Sequence, residues 1–397
     1  YASRFGFLRA LHLNIFEQPH GRLSHRESIM LTKEEIIAEA KRLKFADIGF
    51  TGAEPFLSQK EYLLTHQEEY GWAEAVGLGL LAGAKSIIVV LQSYFEESFP
   101  LQMERHFGRC YLDDDRVIKD GLALKIKAFR KFLQANGIDS KVPFNLPHRM
   151  SAARAGLGTF GKNCLFYARR AACGSSFVFP IALVIDHEFS EDEPTVSRGC
   201  PDWCRNACVA ACPTRALKGD GKIDPRRCIS FLTYYGEGLT PLELREPMGL
   251  YVYGCDRCQN VCPRNIPWMT DEKPQNPRVS AKAAYFVLPR LLHMDKTYFL
   301  QKIWPHMFYM SADDLWRWKM NAARAMGNSL NPAYITDLVK AFKENSDERV
   351  RCMIAWALGR IGSEEAISEL KQFYKTSRGM VKEEIKQAMA GSVNRET

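Results

Sequence analysis

The sequence predicts a three-part chain: an α/β domain, a cysteine-rich segment that wraps metal clusters, and a tail of stacked helical hairpins. Three observations predict it. Apolar β-branched runs alternate with helical stripes over residues 30–190. Eight of the twelve cysteines fall between 200 and 262. Ala325, Met326 and Gly327 return 32 positions later as Ala357, Leu358 and Gly359.

Residues 1–29 lack the regular patterning of the chain beyond Met30 and read as a leader, tag or extension. Phe5 to Phe16 is semi-apolar, but Arg9, His12 and Asn14 interrupt it and no small-residue cleavage site comes after it. Met30 then opens a regular pattern. Thr32 with Glu35 forms a capping box, and Ile36, Ile37, Ala40 and Leu43 give a helical apolar stripe. Phe45–Phe50 reads as a short strand and 55–75 as an aromatic-rich helix. Ser86–Leu91 is a continuous apolar run, the mark of a strand covered on both faces. A helix is expected over 116–136, carrying Leu122, Leu124, Ile126, Phe129 and Phe132 and ended by Gly137. Phe177–Ile185 is a second buried strand. These elements place an α/β domain at 30–192.

The next segment, 193–278, holds Cys200, Cys204, Cys208 and Cys212-Pro213, a lone Cys228, then Cys255, Cys258 and Cys262-Pro263. Thiolates at one-turn spacing, closed by Cys-Pro, are how a ferredoxin-like chain wraps cubic iron–sulfur clusters, and the last cysteine of each run crosses to the other cluster. Eight ligands satisfy two [4Fe–4S] clusters. The assignment is Cys200, Cys204, Cys208 and Cys262 for one, and Cys212, Cys228, Cys255 and Cys258 for the other. Zinc could use some of the same thiolates, and disulfides would need an oxidising compartment that nothing here marks. The first run has three residues in every gap, where the bacterial pattern has two, two and three.

Residues 263–278, rich in proline and polar side chains, read as a linker, and 279–397 as HEAT-like helical repeats. Ile335 returns as Ile367, Leu338 as Leu370, and Phe342 as Tyr374. The tract from Trp304 to Lys319, with Trp316, Arg317 and Trp318, has the composition of an RNA-facing surface, although aromatic residues at helical spacing also build cores. Cys110, Cys164, Cys173 and Cys352 read as small buried hydrophobes.

At 46% hydrophobic and 25% charged the chain is of ordinary globular composition, and its net charge of +8 permits a polyanion partner without requiring one. No run of eighteen apolar residues offers a membrane span. Cysteines kept for clusters imply a reducing cytoplasm, and a monomer is expected.

Outside the cysteines the informative stretch is Arg154-Ala-Gly156-Leu157-Gly158-Thr-Phe-Gly161-Lys162-Asn163. Its glycines would let backbone approach a large ligand, or would serve a tight helix–strand connection; the Walker spacing is absent. In order, Gly83-Ala-Lys-Ser-Ile-Ile, Ala153–Asn163, Cys212-Pro-Thr, Asp224-Pro-Arg-Arg-Cys228 and Tyr253-Gly-Cys-Asp-Arg-Cys-Gln-Asn-Val-Cys262-Pro-Arg-Asn265, with a HEAT-like tail after them, resemble the epoxyqueuosine reductase family. That family comprises cobalamin-dependent iron–sulfur enzymes related to reductive dehalogenases. The resemblance covers about 30–390, and Tyr253–Asn265 is its most specific block. It implies a nitroreductase-like cobalamin-binding α/β domain. It further implies a cobalamin loop made by Arg154, Gly156, Leu157, Gly158, Gly161, Lys162 and Asn163, a tRNA substrate, and a low-potential donor of flavodoxin or ferredoxin type. The reaction it implies is removal of the epoxide oxygen from epoxyqueuosine at a tRNA wobble position.

Reductive C–O cleavage needs single low-potential electrons and a proton for the leaving oxygen. The family's acid is an aspartate ahead of the glycine loop, whereas here Asn145 stands in Pro143-Phe-Asn145-Leu-Pro147-His148, in a segment about three residues shorter. An amide donates a hydrogen bond but no proton. His148 could supply one, or could be a structural histidine; Tyr111 and Tyr167 are further donors. Two other readings stay open: a small-molecule reductase with the same cofactors, and an electron carrier.

Overall fold

The computed structural model describes residues 31–66, 83–113, 121–143, 146–195, 199–307 and 309–393. The leader 1–29 and Asn145 lie outside them, as do parts of the expected helices 55–75 and 116–136.

A four-stranded sheet in the order β1-β2-β6-β3 organises the first domain. Its strands are β1 (Asp47–Gly52), β2 (Ser86–Ser93), β3 (Ser140–Lys141) and β6 (Val178–Ile185). Every pairing is antiparallel; Ile88 lies opposite Phe50 on one side and Leu183 on the other. The unbroken apolar run of β2 arises because helices cover both faces. Ile88 and Val90 point into a layer with Ile36 and Ala40 of α1 (Lys33–Arg42) and Ile126, Phe129 and Leu133 of α2 (Leu122–Ala135). Ile87, Val89 and Leu91 point the other way, onto Ala152 of α3 (His148–Arg154) and onto Leu157 and Phe166. At roughly 1.5–3 kcal/mol for each fully buried aliphatic side chain, β2 is the sheet's anchor. The capping box at Thr32 and Glu35 forms both of its hydrogen bonds and starts α1. The first strand begins at Asp47 rather than Phe45, because Phe45 turns inward against Phe129.

A small hairpin, β4 (Gly158–Phe160) with β5 (Phe166–Ala168), brackets the end of the glycine loop. Two four-residue helices come next, α4 (Ala207–Ala210) and α5 (Arg257–Asn260), packed against each other. The expected linker 263–278 is partly helical. Ile266–Thr270 and Pro277–Lys282 are helices started by prolines in their first turns, which fix φ and give up no hydrogen bond there.

The tail stacks α6 (Leu315–Ser329), α8 (Glu348–Ile361) and α10 (Gly379–Val393) as an inner layer, with α7 (Ile335–Glu344) and α9 (Glu364–Thr376) outside. The third inner helix extends the two units read from the repeat. The repeated glycines let the helices touch: a Cβ on Gly327 would sit 2.7 Å from Ala357 Cα, and one on Gly359 2.6 Å from Ala388 O. One apolar core runs from Phe107 and Phe177 of the first domain through Val252 and Tyr253 into the tail.

Polar residues at steps of four, three and four on α6 meet the cysteine segment. Arg317 donates to Gly236 O, Asn321 to Thr233 O, Arg324 to Gly249 O and Tyr251 O, and Asn328 to Arg245 O and Gly249 O. Arg317 and Trp318 are thus buried, and Trp316 lies against the guanidinium of Arg349 at 3.6 Å. Within the aromatic tract these three side chains are engaged in packing. Among the described residues no helix is long and apolar enough to cross a membrane.

Overpacking the α6–α8 contact with Gly327→Val is expected to cost roughly 1–3 kcal/mol. Urea unfolding checks this; an unchanged midpoint would contradict so close an approach.

Candidate iron–sulfur site and the loop beside it

The eight cysteines, those of the two runs together with Cys228, are all free thiols. Burial pushes the Cys208 thiol up, and Cys262, Cys204 and Cys200 push it the same way. Burial likewise raises Cys258, reinforced by Cys255, Cys228 and, from the first run, Cys208. It raises Cys228, with Cys212 adding, and it holds Cys255 at about 12. Cys262 is the cysteine that acts most on Cys208, and Cys212 acts on Cys228, the directions the expected crossover requires; α4 packs on α5. Burial of Cys208, Cys228, Cys255 and Cys258 favours their neutral thiols until a metal takes up the charge. Among the described residues no three His, Cys, Asp or Glu side chains converge as one ion would need.

The Gly156–Asn163 loop touches the first set directly. Lys162 N donates to Cys200 Sγ at 3.3 Å. Asn163 Nδ2 donates to Tyr167 Oη at 2.8 Å, and Tyr167 Oη donates to Cys262 Sγ at 3.1 Å. The three glycines face protein rather than open space. A Cβ on Gly156 would lie 2.4 Å from Glu193 O, on Gly158 2.1 Å from Tyr167 O, and on Gly161 2.6 Å from the Tyr167 ring. Gly156 also needs its φ of +69°. Of the other loop residues, Leu157 is core. Arg154 closes the far end of β1, bonding Glu54 and Gly52 O and lying over Phe56.

His148 begins α3, and both ring nitrogens meet backbone. Nδ1 accepts from Ala182 N at 2.9 Å, which leaves the proton on Nε2, 3.1 Å from Pro143 O. In this geometry the ring latches α3 to β6 and holds its proton away from any substrate.

Sequence reasoning missed Arg149. It is open to solvent, yet its surroundings desolvate the guanidinium and push its pKa down, while Cys164, Tyr234 and Tyr111 pull the other way. It donates to Cys164 O at 3.1 Å. Its place, second in α3 and ahead of the glycine loop, was the available signal. This cation stands beside the end of the glycine loop. The tyrosines there are held neutral, Tyr111 and Tyr234 both being pushed up by burial. Of the cysteines outside the runs, Cys352 is buried as expected, Cys110 and Cys164 are half-buried, and Cys173 is exposed on a turn with positive φ.

The block Asp256–Asn265 also clamps the two domains together. Asp256 and Asn260 take the Arg109 guanidinium. Gln259 Nε2 donates to Tyr94 Oη and Ser176 Oγ. Arg264 reaches Gly199 O, Ala168 O and Gly174 O, its guanidinium 4.7 Å from the Tyr167 ring centre. Asn265 Oδ1 accepts from Ser176 N at 2.9 Å.

Fold and sulfur sets together define an iron–sulfur oxidoreductase built on an α/β domain and carrying a helical-repeat tail. Residues 201–265 match the 4Fe-4S double cluster binding domain and residues 309–390 match HEAT repeats. The chain is 31% identical to the epoxyqueuosine reductase of Bacillus anthracis over 86% of its own length and 92% of that protein. It is 30% identical to that of Bacillus cereus over 84% and 90%. A crystal structure of selenomethionine-labelled epoxyqueuosine reductase superposes with a TM-score of 0.74 at 27% identity, covering 91% of this chain and 98% of that one. An epoxyqueuosine reductase bound to an epoxyqueuosine-modified tRNA-Tyr stem loop superposes at 0.73 with 28% identity over 91% and 98%. The chain belongs to the epoxyqueuosine reductase family.

Asn265→Ala, which orphans buried partners, is expected to cost roughly 1–3 kcal/mol in urea unfolding. The exposed Trp203→Ala is expected to stay within about 0.5 kcal/mol of the unmodified chain. Equal effects would remove the clamp from the account.

Proposed function

We propose that this chain reduces epoxyqueuosine in tRNA to queuosine, using two [4Fe–4S] clusters and a cobalamin held beside the Gly156–Asn163 loop. The observation that carries the reading is the contact between that loop and one sulfur set: Lys162 meets Cys200, and Asn163 meets Cys262 through Tyr167. Electrons stored at Cys200, Cys204, Cys208 and Cys262 would have the shortest path to whatever the loop binds. The set of Cys212, Cys228, Cys255 and Cys258 would receive them from a flavodoxin- or ferredoxin-type donor in the cytoplasm.

Eight free thiols, four of them raised by burial, fit two clusters. Arg149, exposed beside the loop, fits a polar edge of a large ligand. Arg149 and Lys162 are the residues that would hold the cobalamin, which supplies the low-potential metal chemistry when bound. The net reaction opens both epoxide C–O bonds, forms a C=C bond and releases water, consuming two electrons and two protons. The chain's part is to orient the modified base beside this loop, exclude water and deliver the protons. Tyr111 and Tyr234, which act on the Arg149 guanidinium, keep theirs at neutral pH. Asn145 would donate a hydrogen bond to the leaving oxygen.

A second reading, reduction of a small molecule with the same cofactors, draws on one observation. His148 is committed to backbone, and Asn145 stands where the family's acid is expected.

Protein reconstituted anaerobically with iron, sulfide and cobalamin is expected to convert an epoxyqueuosine-containing tRNA stem loop to queuosine under a strong reductant, read by nucleoside mass analysis. Absence of turnover with cofactors bound would sink the substrate. Cys262→Ala is expected to lower bound iron from about eight to about four atoms per chain. Full iron retention would show that Cys262 is not a ligand.

A further inference from the structure

We propose that Tyr167 sets the reduction potential of the cluster held by Cys200, Cys204, Cys208 and Cys262, by donating a hydrogen bond to Cys262 Sγ. The inference rests on the two-cluster reading and goes beyond it.

Tyr167 is 1% exposed, and its hydroxyl has two partners of opposite sense. It accepts from Asn163 Nδ2 at 2.8 Å and donates to Cys262 Sγ at 3.1 Å. The amide leaves the hydroxyl proton nowhere to point but the sulfur, and a donor that itself accepts a hydrogen bond is polarised into a stronger one. The ring is fixed from three sides. Gly161 leaves room that a Cβ would take from it, Tyr167 O closes on Gly158, and Arg264 lies over the face with its charge. Arg264 cannot drift, since three carbonyls hold it. Tyr167 therefore serves the sulfur, and its proton is not offered to a substrate.

Hydrogen bonds to cluster sulfurs are among the determinants of iron–sulfur potentials. Adding an electron makes the cluster more negative, so a donor aimed at its thiolate stabilises the reduced form more than the oxidised one and raises the potential. The loop's Lys162 N–H adds to the same cluster at Cys200. At the other set the donors to sulfur are backbone, Ala216 N reaching Cys212 Sγ at 3.3 Å and the N–H groups of Ser230 and Phe231 reaching Cys228, while Thr214 Oγ1 lies 3.7 Å from Cys212 Sγ. What Tyr167 adds at the loop-side cluster is a side-chain donor, and it is a positioning residue for that cluster.

The test is a potentiometric EPR titration of the reconstituted chain without cobalamin. Iron and sulfide content first establishes two clusters in the unmodified protein; their absence would sink the cluster reading itself. Tyr167→Phe is then expected to lower the potential of one cluster, the one lost in Cys262→Ala. The expected change is roughly tenfold in its reduction equilibrium, about 59 mV for one electron. The other cluster should stay unmoved, and Thr214→Val should leave the loop-side cluster where it was. No shift, or an equal shift of both clusters, overturns the proposal. If Tyr167→Phe does not assemble its clusters, Asn163→Ala decides: a smaller shift in the same direction supports the hydrogen-bond chain, and an unchanged potential overturns it.

Discussion

Asn265 is fully buried and spends its side chain on Ser176 N, Ser176 Oγ and Gln259 O. Gln259 in turn reaches Tyr94 and Ser176. A buried polar network is stable only when every member is satisfied, because each orphaned group costs its full desolvation. Here satisfaction requires the cysteine segment and the α/β domain to meet in one register. That register sets Cys262 beside Tyr167 and Cys200 beside Lys162. The residues between and after the last cysteines therefore do two jobs: their spacing wraps the metal, and their side chains dock the wrap.

The tail completes this arrangement from the opposite side. Its first inner helix offers Arg317, Asn321, Arg324 and Asn328 to carbonyls of the loop that leads into Cys255. Arg324 is 0% exposed, and burial pushes its guanidinium down to about 9, still charged at neutral pH. Tyr253 stacks on Trp318 with ring centres 5.1 Å apart. Arg245 and Glu384 form a buried pair at 2.5 Å that ties α10 to the same segment. Removing one member of such a pair leaves an uncompensated charge, typically at a cost of about 3–5 kcal/mol. The helical repeats thus form one wall of the cluster domain, which explains how so few units are stable. Their inner helices share its core.

Much of the architecture was legible because it arises from local rules. The capping box at Thr32, the apolar run of β2, the Cys-Pro endings and the repeated glycines of the tail each act within a few residues of themselves. Features the sequence left open were decided by partners elsewhere in the chain. The glycines at 156, 158 and 161 could give room to a ligand or make a tight connection, and their missing Cβ atoms make room for Glu193 and Tyr167. Trp318 and Arg317 could face RNA or build core, and contacts with 233–253 bury them. The run 263–278 looked like a linker, but two proline-started helices form there and its end pairs with Ser98.

By itself the sequence marked which atoms can bind metal and suggested how they divide, since eight thiols at helical-turn spacing with crossover endings match two four-ligand sets. It also determined the order of the three parts and the family. Tertiary structure alone decided what those sulfurs touch. A hydroxyl and a backbone amide from neighbouring positions reach two of them, a histidine's proton is turned to backbone, and a guanidinium is left exposed beside the glycine loop. Such outcomes depend on side chains separated by tens to hundreds of residues. Spacing rules act along the chain, whereas hydrogen-bond satisfaction and desolvation act through space.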